Sequence, residues 1–142
     1  MRRIVADTNV VVSGLLWTGV PQQVLDSGRF GVVKIVTCQR LLDELSNTLR
    51  LPKLQKAVTR TGLTIDALVH AYSLIADVVE LGDVPPVIAA DPDDDVVLAC
   101  AVAGNASDIV SGDHHLLSLG SHAGISIQPP APFLLQLQRL RN

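Results

Sequence analysis

A three-layer α/β/α sandwich around a central, mainly parallel sheet is the fold this sequence predicts, on three observations. Short apolar, β-branched runs alternate with stretches of helical spacing, the pattern of a parallel sheet covered on both faces. The chain has 142 residues, 48% of them hydrophobic, with a mean hydropathy of +0.37. That suits a single domain over residues 1–142 with a full core, and excludes a disordered chain. Two of the apolar runs end at an aspartate, Asp7 and Asp113, and in parallel sheets ligands bind beyond the carboxyl ends of the strands.

The elements follow in order. Arg3-Ile4-Val5-Ala6 reads as a strand ending at Asp7, and Val10 to Leu16 as a helix with Ser13 and Gly14 inside it. Pro21 opens a second helix, Gln22 to Ser27, stopped by Gly28 and Gly31. Val32 to Thr37 is strand-like in length and branching. Leu41, Leu42, Leu45 and Leu49 then recur at helical spacing as one stripe. On a 100° wheel Glu44 lies at the edge of that stripe and Asp43 nearly opposite, so Glu44 is the acid expected to look inward. Pro52 interrupts, and Leu54 to Val58 and Thr64 to Ile75 give further helix, the latter with Thr64 as N-cap and Asp66 in its first turn. Val78 to Leu81 is expected as a short strand and Pro85-Pro86 as a rigid connector. Asp91-Pro92-Asp93 leads into a helix from Asp95 to Ala103, apolar on every side and therefore buried. Asp108 to Ser111 is a strand, Leu116 to Leu119 a short helix, Ile125 to Ile127 a last strand, and Pro132 to Leu140 a terminal helix.

Charge is unevenly spread. Residues 1–60 hold nine Lys or Arg against four acids, whereas residues 61–138 hold ten acids and no Lys or Arg. A face built from the first part can be basic while the second carries the acids. Arg29, Lys34, Arg40, Arg50, Lys53, Lys56 and Arg60 are the positions available for phosphate contacts, Arg40, Arg50, Lys53 and Lys56 foremost; solvated helix faces are the plain alternative. Aromatics make up 3% of the chain, so base stacking is not the main source of any nucleic-acid affinity. Cys38 and Cys100 are widely separated and read as two buried thiols. The longest apolar run, Val96 to Gly104, is far too short to cross a bilayer, and Asp7, Thr8 and Asn9 interrupt the only run that resembles a signal peptide. A cytoplasmic chain starting at Met1, with no membrane contact, is the expectation.

Four acidic segments carry the chemistry: Asp7 in Val5-Ala6-Asp7-Thr8-Asn9-Val10, Glu44 in Leu42-Asp43-Glu44-Leu45, Asp95 in Asp93-Asp94-Asp95-Val96, and Asp113 in Val110-Ser111-Gly112-Asp113. If the fold gathers them, two carboxylates about 5 Å apart at an effective dielectric near 20 repel by roughly 3 kcal/mol. A divalent metal is the simplest compensation. Oxygen-only ligands suit Mg²⁺ or Mn²⁺, and the absence of a Cys or His grouping speaks against zinc.

Together with Gly19-Val20-Pro21 and Arg50-Leu51-Pro52-Lys53, these segments resemble the PIN-domain family, and more narrowly its VapC-like ribonucleases, the toxins of toxin–antitoxin pairs. The resemblance runs over nearly the whole chain and implies a PIN-like fold. It also implies a metal-dependent endoribonuclease whose acidic quartet, Asp7, Glu44, Asp95 and Asp113, is both catalytic and metal-binding, with one or two Mg²⁺ or Mn²⁺ ions. An RNA substrate, an antitoxin protein and a homodimer are its implied partners. Asp94 is the understudy to Asp95, which is preferred because it immediately precedes Val96-Val97-Leu98, as in the family. Thr8, Asn9 and Ser111 stand beside the acids as supporting groups that orient ligands or water. His114 and His115 are read as incidental.

Each acid has a structural rival: Asp7 as a helix cap, Glu44 as a solvated helix residue, Asp93 to Asp95 as partners of a helix dipole, and Asp113 as a turn residue. Removing Asp7 or Asp113 is expected to leave the fold intact and to relieve repulsion. Two other functions compete. A phosphoacceptor domain also gathers acids around Mg²⁺ but wants a Lys after a late strand, which residues 61–138 lack. A non-catalytic PIN-like module binding RNA or protein is the alternative retained.

Overall fold

The computed structural model describes residues 1–87 and 92–141, with side chains through Leu140. Its elements are β1 (Arg2–Ala6), α1 (Thr8–Leu16), α2 (Val20–Arg29), β2 (Val33–Thr37), α3 (Gln39–Leu49), a 3₁₀ turn (Pro52–Leu54), α4 (Gln55–Arg60), α5 (Ile65–Leu74), β3 (Ala76–Val78), α6 (Pro92–Ala103), β4 (Asp108–Val110), α7 (His114–Leu119), β5 (Ser121–His122), β6 (Ile125–Gln128) and α8 (Pro130–Arg141). The six strands lie in the order β3-β2-β1-β4-β6-β5. All pairings are parallel except β5 with β6. The α/β sandwich expected from the alternating pattern is the architecture found.

Period-two alternation splits the core between two faces. Ile4, Ala6, Val33, Ile35 and Val110 turn to one face and pack with α1, α2, α3, α5 and α8. Val5, Val36 and Ile109 turn to the other, against Val96, Val97, Leu98 and Cys100 of α6 and Leu116 of α7. Gly14 lets α1 pack tightly on α2: a Cβ there would lie 2.7 Å from Leu25 Cδ1 and 2.9 Å from the Pro21 carbonyl. At the amino end of the sheet, Asp108 accepts two hydrogen bonds from Arg2 at 2.9 and 3.1 Å and one each from Ser107 and Gln128. That saturated carboxylate ties β4 to β1 and lies at the opposite end of its strand from Asp113.

Several sequence expectations shift. The third strand is Ala76–Val78, earlier than Val78 to Leu81, because its partner β2 ends at Thr37, which pairs with Val78; only Val79 extends the ladder, donating to Thr37 at 2.8 Å. The helix expected from Asp95 begins at Pro92, using proline's tolerance of the first helical turn, with Asp93, Asp94 and Asp95 inside that turn. It is not buried all round, for Val102 is 50% exposed. The two-residue strand β5 carries no pattern long enough to read in sequence. Asp91 lies outside the described residues.

Candidate metal centre

Strand order fixes where the acids meet. The chain proceeds from β1 to β2 and β3 on one side, and through β4 and β6 on the other, so the crevice beyond the ends of β1 and β4 is the switch point at which parallel sheets bind ligands. Ala6 is in register with Val110, and the Asp7 amide donates to the Val110 carbonyl at 3.1 Å. Asp7 and Ser111 therefore leave the sheet side by side. Asp7 also caps α1, accepting from the Val10 amide at 2.9 Å, while Ser111 Oγ donates to its other carboxylate oxygen. Capping and site duty are thus combined in one residue rather than being rivals.

Asp113 caps α7, accepting from the amides of His115 at 2.8 Å and Leu116 at 3.3 Å, and its own amide donates to Ser111 Oγ at 2.9 Å. From α3, Glu44 arrives half-buried at the edge of the Leu41, Leu42, Leu45 and Leu49 stripe, while Asp43 points outward to Gln39. Asp7, Thr8, Asn9, Glu44, Asp93, Asp94, Val97 and Asp113 line one cleft of about 80 Å³. Larger cavities exist, one of about 220 Å³ against α6 and one of about 510 Å³ between the start of α3 and Val78 to Leu81, but neither gathers the acids.

Asp95 is the one member of the expected quartet that the structure turns elsewhere. It shares the i, i+3, i+4, i+7 stripe of Leu98, Ala99 and Val102, which lines the 220 Å³ cavity, and its Oδ1 accepts from the Val87 amide at 3.0 Å. Asp94, one residue and about 100° away, shares its face with Val97 and looks into the cleft. Helical phase separates the two in the structure, and adjacency to Val96 does not. Asp93 and His115 also belong near the acids and were not read as site residues. Of the basic positions, Arg40 lines the 510 Å³ cavity one helical turn before Glu44. Arg50 stands about 15 Å further along α3, hydrogen-bonded to Ser46 and 3.6 Å from Asp66, with Lys53 and Lys56 beyond it.

The site is electrostatically divided. Burial pushes the Asp7 carboxyl above the usual carboxylate range, with the charge of Asp113 adding to the rise, against hydrogen bonds from Ser111 and the Val10 and Gly112 amides that lower it. At Asp113, desolvation also raises the carboxyl, but the Leu116 and His115 amides, a hydrogen bond with the Asp94 side chain and the His115 ring hold it below that range. Two carboxyl groups hydrogen-bonded to each other share a proton, and a cation seated between them takes over its role. An acidic cleft of this kind suits a hard divalent ion; Asp94 and Asp113, with His115, offer ligand atoms within 4.8 Å of one another, and Asp7 and Glu44 line the same cleft.

The PIN domain family model matches residues 3–115, which hold every acid of the cleft. This chain belongs to the PIN domain family. PIN domains are generally nucleases that use divalent metal ions, and the acidic group here is compatible with that chemistry. The crystal structure of PAE2754 from Pyrobaculum aerophilum is similar over 97% of this chain and 90% of that one, at a TM-score of 0.60 and 14% identity, a likeness of fold. Among curated proteins no sequence matches. Among the described residues of this PIN domain, no helix is long and apolar enough to cross a membrane.

Proposed function

We propose that this PIN domain is a metal-dependent endoribonuclease that hydrolyses RNA phosphodiester bonds using one or two Mg²⁺ or Mn²⁺ ions, and that it acts as the toxin of a toxin–antitoxin pair. The observation that carries the reading is the convergence of Asp7, Glu44, Asp94 and Asp113 in one cleft at the switch point of a PIN fold. A divalent ion held there supplies positive charge for a phosphate and lowers the pKa of water.

The chain's own groups do the rest. Ser111 and the Val10 amide hold both oxygens of Asp7 in one orientation, and the first turn of α7 does the same for Asp113, so the carboxylates are set before substrate arrives. Thr8 and Asn9, at the start of α1, offer short polar groups on the cleft wall to position a water or a phosphate oxygen. Arg40 faces the neighbouring 510 Å³ cavity, roomy enough for a nucleotide next to the cut, and supplies the guanidinium for its phosphate. An antitoxin is recognised by the same charge logic, a basic side chain entering the acidic cleft.

The reading is tested by incubating a pool of structured RNAs with the wild-type chain and Asp7→Ala, purified in parallel, in Mg²⁺, Mn²⁺ or EDTA. Cuts that need metal and vanish in the variant are expected. Full activity of Asp7→Ala sinks the reading, and metal-independent RNA binding without turnover returns the protein to the non-catalytic module.

A further inference from the structure

We propose that His115 supplies a ring nitrogen to a divalent ion held with Asp94 and Asp113, so that this centre selects a transition ion such as Mn²⁺ over Mg²⁺. The inference rests on the proposed reading that the cleft holds an ion, and extends it to a residue outside the acidic set.

One ligand atom from each of Asp94, Asp113 and His115 can be chosen so that all three lie within 4.8 Å of one another. His115 Nδ1 is 3.7 Å from Asp113 Oδ1. Donors bound to one ion at about 2.1 Å stand roughly 3 Å apart when adjacent and about 4.2 Å when opposite, so the observed spacing closes on an ion with side-chain movements below about 1 Å. The ring is held near this position by its own backbone. The His115 amide donates to the same Asp113 oxygen at 2.8 Å, and the His114 ring, 4.1 Å away between centroids and tilted by 39°, occupies one side of it. With 38% of its side chain exposed, against 26% for Asp113 and a buried Asp94, His115 forms the outer edge of the triad, on the solvent side.

The chemistry follows from the donor. Carboxylate and water oxygens serve Mg²⁺ and Mn²⁺ alike, but an imidazole nitrogen binds first-row transition ions well and Mg²⁺ poorly. One nitrogen added to a carboxylate pair therefore separates ions that the carboxylates alone do not.

The test uses the full chain without RNA, stripped of metal and loaded with Mn²⁺ alone, for wild type, His115→Ala, His115→Gln and His114→Ala, each checked for folding by its thermal melt. Pulsed electron paramagnetic resonance of the bound Mn²⁺ is expected to show coupling to a ¹⁴N nucleus in wild type and His114→Ala, and none in the two His115 variants. Calorimetric titration is expected to show Mn²⁺ affinity falling about ten-fold or more on loss of His115, with Mg²⁺ affinity changed less than about two-fold. Bound Mn²⁺ without nitrogen coupling in wild type, or coupling that survives in both His115 variants, overturns the inference and leaves the carboxylate centre standing. A wild-type chain that binds no Mn²⁺ overturns both.

Discussion

Ser111 donates its hydroxyl to Asp7, joining the ends of two adjacent strands that are 104 residues apart in the chain. The same oxygen accepts the Asp113 amide, so one buried serine sets the spacing of two site carboxylates. The two acids nonetheless respond oppositely to their surroundings. Asp7 is buried and its carboxyl is pushed up; Asp113 is held by helix-start amides and its carboxyl is pulled down.

Asp7→Asn is expected to stabilise the metal-free chain at neutral pH. A carboxyl whose folded pKa is raised contributes stability below its unfolded value, and that contribution is lost as pH rises through the folded value. Holding charge on buried Asp7 at neutral pH is therefore a cost that Asn does not carry, while its oxygen retains the cap from Val10. Melts in EDTA should place the variant a few degrees above wild type at pH 7, about 1 kcal/mol, with the gap closing near pH 4. With saturating Mn²⁺ the order should invert, since an ion present at a hundred times its dissociation constant adds about 2.7 kcal/mol to the wild type alone. A variant less stable than wild type in EDTA at pH 7 counts against this account.

Asp113→Ala is expected to act the other way. Relief of repulsion is the expectation from sequence, but the structure gives this carboxylate two amide donors at the start of α7, and losing such a cap costs about 1 kcal/mol. Its lowered pKa contributes stability above the ordinary carboxylate value, lost as pH falls through the folded one. Urea titrations should show Asp113→Ala below Asp113→Asn and wild type at pH 7, with wild type losing its advantage as pH falls below the ordinary carboxylate range while the gap between Asp113→Asn and Asp113→Ala persists. Equal midpoints at pH 7 would remove the capping argument.

Asp94 and Asp95 differ by one helical step and should differ completely in phenotype. Asp94→Ala is expected to lose metal binding and cleavage together, whereas Asp95→Ala should keep both and lose about 1 kcal/mol of stability with its bond to the Val87 amide. Parallel Mn²⁺ titrations and RNA cleavage assays separate them, and the reverse pattern restores Asp95 to the quartet.

What the sequence made legible follows from which signals are local. The first, second, fourth and last long strands, the Leu41 to Leu49 stripe and the Thr64 cap are set by neighbours in the chain and appear where their patterns put them, whereas the third strand is placed by its pairing with β2. The phase of Glu44 against Asp43 was readable for the same reason: eleven residues of helix carry a strong stripe. α6 carries no such stripe, since nearly every side from Asp94 to Ala101 is buried, and so the choice among three consecutive aspartates had no polar face to anchor it. His115 was invisible for a different reason. Its place depends on the Asp113 cap, a hydrogen bond that fixes the start of α7 two residues earlier than the apolar pattern suggests.

Basic residues offer the last test, because grouping in sequence and position in space disagree. Lys53 and Lys56 lie beyond the end of α3, whose eleven residues span about 16 Å, whereas Arg40 opens that helix one turn from Glu44 and walls the large cavity. If an RNA's scissile phosphate sits in the acidic cleft, Arg40, one helical turn from Glu44, is closer to it along α3 than Lys53 or Lys56. Binding of an RNA to the Asp7→Asn chain, measured by anisotropy across a salt series, should therefore lose about one unit of slope with Arg40→Ala, the signature of one phosphate contact removed. Arg40→Lys should restore the slope but not the full affinity, since a point charge cannot match the guanidinium's paired donors. The double change Lys53→Ala and Lys56→Ala should leave the slope within error of the parent. If the lysines flatten it as much as Arg40 does, RNA runs the length of α3 onto α4, and the basic first half of the chain acts as one continuous track rather than a single contact beside the cleft.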